Sequence, residues 1–325
     1  MRLLRLRSAW GLAGLRSGDR QRTFAAVRAA GFDGVEASLG DIGGSIAERR
    51  ACLRAAQAED QALVLSAYSS WQSYEGAFEV LPLSEHIDRM RAELDDIAEL
   101  CTSLVGPSPV WRVNAHSGSD MWSDAEACDF FTTVAAHAAA VGQSLPPVSH
   151  ETHRGRFLCC PFATARILET TPTLRLTSDF SHWVIKCERL LDSPEESEFL
   201  ATAIAPAVDH IHARIGTPQA PQVADATHPS VHASAERHYQ WWETVWSARE
   251  ASTLSGRDAT LTATVEYGPV EMTSGGEYCG YTPVDLAMKP VAGVDLDVTL
   301  RAARDGLEQR FERWHANSVE RRFSI

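Results

Sequence analysis

Lysine is nearly missing from this 325-residue chain: Lys186 and Lys289 stand against 28 arginines. That leaves two candidates for Schiff-base chemistry, because a guanidinium stays protonated and cannot act as the amine nucleophile. Positive charge is also in deficit overall, with a formal net charge of −13. A nucleic-acid surface needs clustered cations to displace counterions, so no nucleic-acid partner is expected. Zinc-type cysteine pairing is absent: the seven cysteines include no C-x-x-C, and adjacent Cys159 and Cys160 could not bridge each other without strain. An odd set of free thiols fits a reducing compartment. Long apolar runs are missing too. The opening MRLLRLRSAWGLAG is broken by arginines, too short for a membrane span and a poor signal peptide. The expectation is a cytoplasmic protein without a membrane partner, and a homo-oligomer is compatible with it.

What is present is enough apolar material, 44% of residues, to fill a sizeable core. Short apolar, β-branched runs alternate with longer segments of helical period. Strands are predicted at residues 5–12, 34–38, 62–68, 110–116, 146–153, 174–183, 208–216 and 261–268. Helices are predicted at 19–30, 45–58, 83–104, 123–141, 161–170, after Ser193, and at 296–316. Strict alternation of eight strands with helices points to an α/β protein, a single (β/α)₈ barrel domain over residues 1–325. The rhythm breaks once, at residues 217–260. This stretch opens TPQAPQVADATHPS and reads as an excursion over the barrel mouth before a helix around Trp241 and Trp242.

In such a barrel, polar residues at the C-terminal strand ends face the mouth where chemistry occurs. That rule selects Glu36, His116, Glu151, Asp179, His212 and Glu266. Four of them end consecutive strands: Glu151, Asp179, His212 and Glu266, spaced by 28, 33 and 54 residues. Three converging carboxylates without a cation would repel each other. One divalent metal ion plus an imidazole resolves the repulsion, and an O/O/O/N set suits Mn²⁺, Mg²⁺, Co²⁺ or Zn²⁺. Glu36 reads as a structural or supporting group.

With GFDGVEAS, HET, DFSH, HIHARIG and VEYG in this order, the chain resembles the xylose-isomerase-like superfamily of sugar and sugar-phosphate isomerases and epimerases over nearly its whole length. The resemblance implies that Glu151, Asp179, His212 and Glu266 bind the metal, and that Glu151 and Glu266 are the catalytic pair that shuttles protons. It also implies that His182, three residues after Asp179, contacts substrate oxygens. HETHRGR lacks the lysine of the hydride-shift xylose isomerases, which disfavours that activity. The charge balance disfavours the superfamily's endonuclease branch.

Arg214 falls two residues beyond His212 and therefore on the same face of its strand. With Arg154 and Arg156 it suggests either recognition of an anionic substrate group or pairing with the mouth's own acids. His116, Gln219 and Gln222 are further candidates for contact with a small, polar substrate. Tyr68, Trp71, Trp122 and Trp183 could wall a sugar-sized pocket, whereas His150 should point away from the mouth. The implied function is metal-dependent isomerisation or epimerisation of a polyhydroxylated carbonyl compound through an enediolate. A lyase or dehydratase on the same site, and a non-catalytic ligand-binding barrel, stand as alternatives.

Overall fold

Strands apolar at consecutive positions must bury both faces, and in a parallel sheet this requires helices outside and a filled ring inside. The computed structural model describes residues 1–16, 18–71, 79–253, 259–270, 274, 280–282, 287, 289 and 295–323. It contains the strands β1 (Arg2–Ser8), β2 (Gly34–Ser38), β3 (Ala62–Tyr68), β4 (Val110–His116), β5 (Val148–Glu151), β6 (Leu176–Asp179), β7 (Val208–His212) and β8 (Thr260–Val265). Each pairs in parallel with the next and β8 pairs back onto β1, so the barrel closes. Alternate residues divide the core in two. Leu3, Val35, Leu63 and Leu65 pack outward against the helices, while Leu4, Leu6, Ala62 and Val64 form a separate apolar cluster. Above that cluster the interior turns polar.

Helix starts follow local chemistry. Ser45, Ser123 and Ser193 each accept the backbone N–H of the glutamate three residues on, whose carboxylate accepts in return. These reciprocal caps satisfy N–H groups that a helix cannot pair internally. Gly34 has a different task. A Cβ there would lie 2.0 Å from the carbonyl oxygen of Ala62, so β2 and β3 meet this closely only because the position is glycine.

Several expected boundaries move. β1 runs from Arg2 to Ser8 instead of 5–12, and its Arg5 and Arg7 are paired with Asp33, Glu308 and Asp297. β6 stops at Asp179, where 174–183 was expected to be extended. The Asp179 carboxylate accepts from the backbone N–H of Ser181 at 3.0 Å and caps a helix, Phe180–Cys187. β7 stops at His212, so Arg214 lies just past the strand. The 217–260 insertion carries the expected helix, His232–Thr253, with Trp241 and Trp242 buried. None of its described residues is among those lining the mouth cavity. Among the described residues no helix is long and apolar enough to cross a membrane.

Candidate metal centre

Strand register gathers the predicted ligands. Glu151, Asp179 and His212 are the last residues of β5, β6 and β7, and Asp179 pairs in register with His212. Glu266 is the first residue beyond β8. His212 Nδ1 lies 3.0 Å from Glu266 Oε2, 3.5 Å from Glu151 Oε1 and 4.0 Å from Asp179 Oδ2. Ligand atoms about 2.0–2.2 Å from one small divalent ion stand about 3.0 Å apart across a right angle and about 3.5 Å apart across a tetrahedral one. The spacing therefore suits a shared ion.

Hydrogen bonding gives an independent test of that fit. His212 Nδ1, Glu151 Oε1 and Glu266 Oε2 are buried and make no hydrogen bond of ordinary geometry among the described residues, although His212 Nδ1 lies within ion-pair distance of both carboxylates. Other atoms of Glu151 and of Asp179 are engaged. Glu151 Oε2 accepts from Asn114 Nδ2 at 2.9 Å and lies 3.0 Å from His116 Nε2. Asp179 Oδ1 accepts from both the N–H and the hydroxyl of Ser181, and Oδ2 accepts from Arg214. Buried polar atoms left without partners are rare in folded proteins. Glu151, Asp179 and His212 each bring a ligand atom within 4.8 Å of the others, and Glu266 Oε2 adjoins His212 Nδ1, an arrangement that could hold a cation.

Glu36 fixes the imidazole. Both its carboxylate oxygens lie 3.1 Å from His212 Nε2, so that nitrogen donates and Nδ1 is left to face the acids. A carboxylate behind a ligating histidine sets its tautomer and raises its basicity. Glu36 also accepts from His210 Nε2 at 3.0 Å and from Asn114 Nδ2 at 2.8 Å. Glu36, His210 and His212 are close enough to form a cation site of their own. Their facing atoms, however, are already hydrogen-bonded to one another, unlike those of the Glu151, Asp179, His212 and Glu266 set.

The electrostatics describe a site charged in advance. Burial pulls His212 down, yet Glu36, Glu151 and Glu266 outweigh it and hold the imidazole well above its ordinary range. Burial pushes Glu151 up, but the charges of His116 and His212 keep it ionised, well below the usual carboxylate value. Glu266 shows the same balance, with Arg214 and His212 opposing burial. His212 is therefore protonated near neutral pH before an ion enters, and a ligating Nδ1 must be neutral. Titrating the metal-free protein with Mn²⁺ in two buffers of different ionisation enthalpy should show release of about one proton per ion. Affinity should rise with pH over the range where His212 loses that proton. Uptake without proton release would show His212 neutral beforehand.

The remaining predicted residues divide. His182 is fully buried in the first turn of Phe180–Cys187, and its Nε2 accepts from Arg214 Nη2 at 2.8 Å. That leaves the hydrogen on Nδ1, which has no partner among the described residues. Burial, with His153 and Arg214 adding to it, keeps His182 neutral. Arg214 is also buried. It bonds Asp179, Ser181 and His182, and its Nη1 lies 3.7 Å from Glu266. Tyr281, which lines the mouth, lies with its ring 5.1 Å from the Cζ of both Arg214 and Arg154. Arg214 thus pairs with the site's own acids. His116 lines the mouth and stacks on Tyr68.

Other placements differ from expectation. Gln222 donates to the Gly268 carbonyl and accepts from the Gly268 N–H, so both amide ends are spent bracing the turn after Glu266. Gln219 is exposed on the insertion. Arg156 is bound to Ser70 and the Gly118 carbonyl and ties two loops together. Trp183 is a core residue whose indole donates to the Leu158 carbonyl. Trp122 and Arg154 line a second cavity, whereas Tyr68 and Trp71 line the mouth. His150 points to Ser117 and Phe131, away from the mouth as expected. The sequence reading missed His210 and Asn114. Alternation could have found His210, since residues two apart on a strand share a face.

No family model matches the chain, and no curated protein sequence is detectably similar to it. Solved structures are similar in fold. A D-tagatose 3-epimerase-like protein matches 98% of this chain and 100% of its own, with TM-score 0.57 and 13% identity. L-ribulose 3-epimerase matches 98% of both chains, with TM-score 0.54 and 15% identity. The probable 3-DHS dehydratase AsbF of Bacillus anthracis matches 95% of this chain and 99% of its own, with TM-score 0.54 and 13% identity. The barrel is thus similar in fold to two sugar 3-epimerases and a probable dehydratase, and at these identities the likeness is one of fold alone.

Proposed function

We propose that this chain, as one barrel domain, is a divalent-metal-dependent isomerase or epimerase of a sugar or related polyhydroxylated carbonyl compound. The observation that carries the reading is the cluster of Glu151, Asp179 and His212, with one ligand atom of each within 4.8 Å of the others, and with Glu266 Oε2 3.0 Å from His212 Nδ1 at the mouth cavity. The sugar 3-epimerases among the similar folds support it. When bound, a divalent ion would polarise a substrate carbonyl and acidify the neighbouring C–H.

The chain's own groups do the rest. Glu266 opens onto the mouth cavity and is the first candidate to take the proton. Glu151, fully buried and oriented by Asn114 and His116, returns one from another side. Such a pair of carboxylates can invert the carbon between them. His182 Nδ1–H and the neutral His153 orient substrate oxygens. Burial drives His153 down to about 3, so it hydrogen-bonds without charge. Tyr68 and Trp71 limit access of water.

The test is a panel of ketohexoses and 3-keto-glycosides incubated in D₂O with Mn²⁺-loaded protein and followed by NMR. One substrate should gain deuterium next to its carbonyl and yield an epimer of unchanged formula. Loss of water from the product would favour the dehydratase reading, which one similar fold keeps open. A metal-loaded protein that exchanges and converts nothing across the panel would contradict an enzymatic role on this class.

A further inference from the structure

Beside the mouth lies a second cavity of about 590 Å³, walled by the segments after β3, β4 and β5. The mouth cavity itself measures about 300 Å³. Trp71 and His153 line both, so the two spaces adjoin across one indole and one imidazole. Arg156 holds the outer wall together by binding Ser70 of one loop and Gly118 of the next. The second cavity is thus a braced extension of the mouth.

Its lining is unusual for this surface. Among the described residues eight large apolar side chains are exposed, and three of them, Trp71 (57%), Val80 (65%) and Met121 (66%), converge on this cavity. Trp122 adds a half-buried indole. Single exposed apolar side chains are ordinary, but a cluster beside a polar site marks a binding groove. Charge selects nothing here, because three acids (Glu79, Asp120, Glu126) and three bases (Arg154, Arg156, Lys186) share the walls. Of these, Glu126 is occupied by the Ser123 cap and Arg156 by the loops. Glu79, Asp120, Arg154 and Lys186 remain, two of each sign, beside the exposed apolar groups Trp71, Val80 and Met121.

We propose that this side cavity binds a flat, largely apolar extension of the substrate. The physiological substrate is then a two-part molecule, with a polyhydroxylated carbonyl end in the mouth and an aromatic or similarly planar group beyond Trp71. This rests on the reading of the mouth as the catalytic site. The ring of the extension packs against Trp71 and Trp122, with Val80 and Met121 covering its edges.

The experiment compares the methyl and 4-nitrophenyl β-D-glycosides of glucose, galactose and xylose by calorimetry on Mn²⁺-loaded protein. In at least one pair the aryl member should bind about ten-fold tighter or more, the scale of burying and stacking one ring. The double variant Val80→Glu/Met121→Glu changes exposed residues away from the mouth. It should abolish the aryl preference while leaving Mn²⁺ content and methyl glycoside affinity unchanged. An aryl member no tighter than its methyl partner in every pair, or a preference that survives the double substitution, overturns the proposal. Failure of the mouth reading looks different, because it appears as wild-type protein that retains no Mn²⁺.

Discussion

Replacing His212 by alanine is expected to strip the protein of its divalent ion and abolish turnover. His212 Nδ1 lies within 4.0 Å of Glu151, Asp179 and Glu266 alike, and without it the acids keep only His116 and Arg214 to offset their repulsion. Loss of a supporting group behind a ligand typically weakens metal binding about 10–100-fold, and loss of the ligand should exceed that. Glu36→Gln provides the internal scale. Glutamine keeps the shape but can present its NH₂ to His212 Nε2, which loosens the imidazole's tautomer. Its Mn²⁺ affinity should therefore fall by about 10–100-fold, less than that of His212→Ala. Mass-spectrometric metal content after dialysis, with Mn²⁺ titration, measures both. Equal affinities for wild type and His212→Ala would remove His212 from the site.

Glu151→Gln and Glu266→Gln are each expected to lower turnover by about 10²–10⁴-fold while the protein still holds metal. Glutamine retains one ligand oxygen but cannot accept the proton. The two variants should differ in kind. With Glu266 nearest the mouth, Glu266→Gln should block deuterium entry from D₂O. Glu151→Gln should allow exchange at the substrate carbon but slow formation of the epimer, because only one face of the carbon can then be reprotonated. Normal turnover by both metal-loaded variants would reduce the carboxylates to a metal clamp and shift the search for a base to His116, His153 or His182.

Much of this arrangement is legible in the amino-acid sequence, because it depends on local rules. Ser45, Ser123 and Ser193 each stand three residues before a glutamate, and each begins a helix where expected. Strands β2, β3 and β4 fall at their predicted residues because their apolar runs are flanked by clear turns. The proposed metal ligands emerge from one rule, polar residues at successive strand ends, which barrel closure brings together. What the sequence hides is what requires a partner from far along the chain. Arg5 and Arg7 in β1 find their partners at Asp33, Asp297 and Glu308, far along the chain. Gln222 has the chemistry of a substrate-binding group, but its amide clasps Gly268, 46 residues away. Arg214 has the parity to reach a ligand, but the cap at Asp179 folds Ser181 and His182 back onto its guanidinium. The support of His212 by Glu36 crosses the barrel from β2 to β7, and no local pattern records it.

The central claim is that one divalent ion sits between Glu151, Asp179, His212 and Glu266, on the Nδ1 side of His212. Anomalous scattering from a crystal of the protein soaked in Mn²⁺ addresses it directly. The account predicts a single strong peak about 2.0–2.3 Å from His212 Nδ1 and within similar reach of an oxygen from each of the three carboxylates. A peak on the other side of the imidazole, among His212 Nε2, Glu36 and His210, or no peak at the mouth at saturating Mn²⁺, would contradict it.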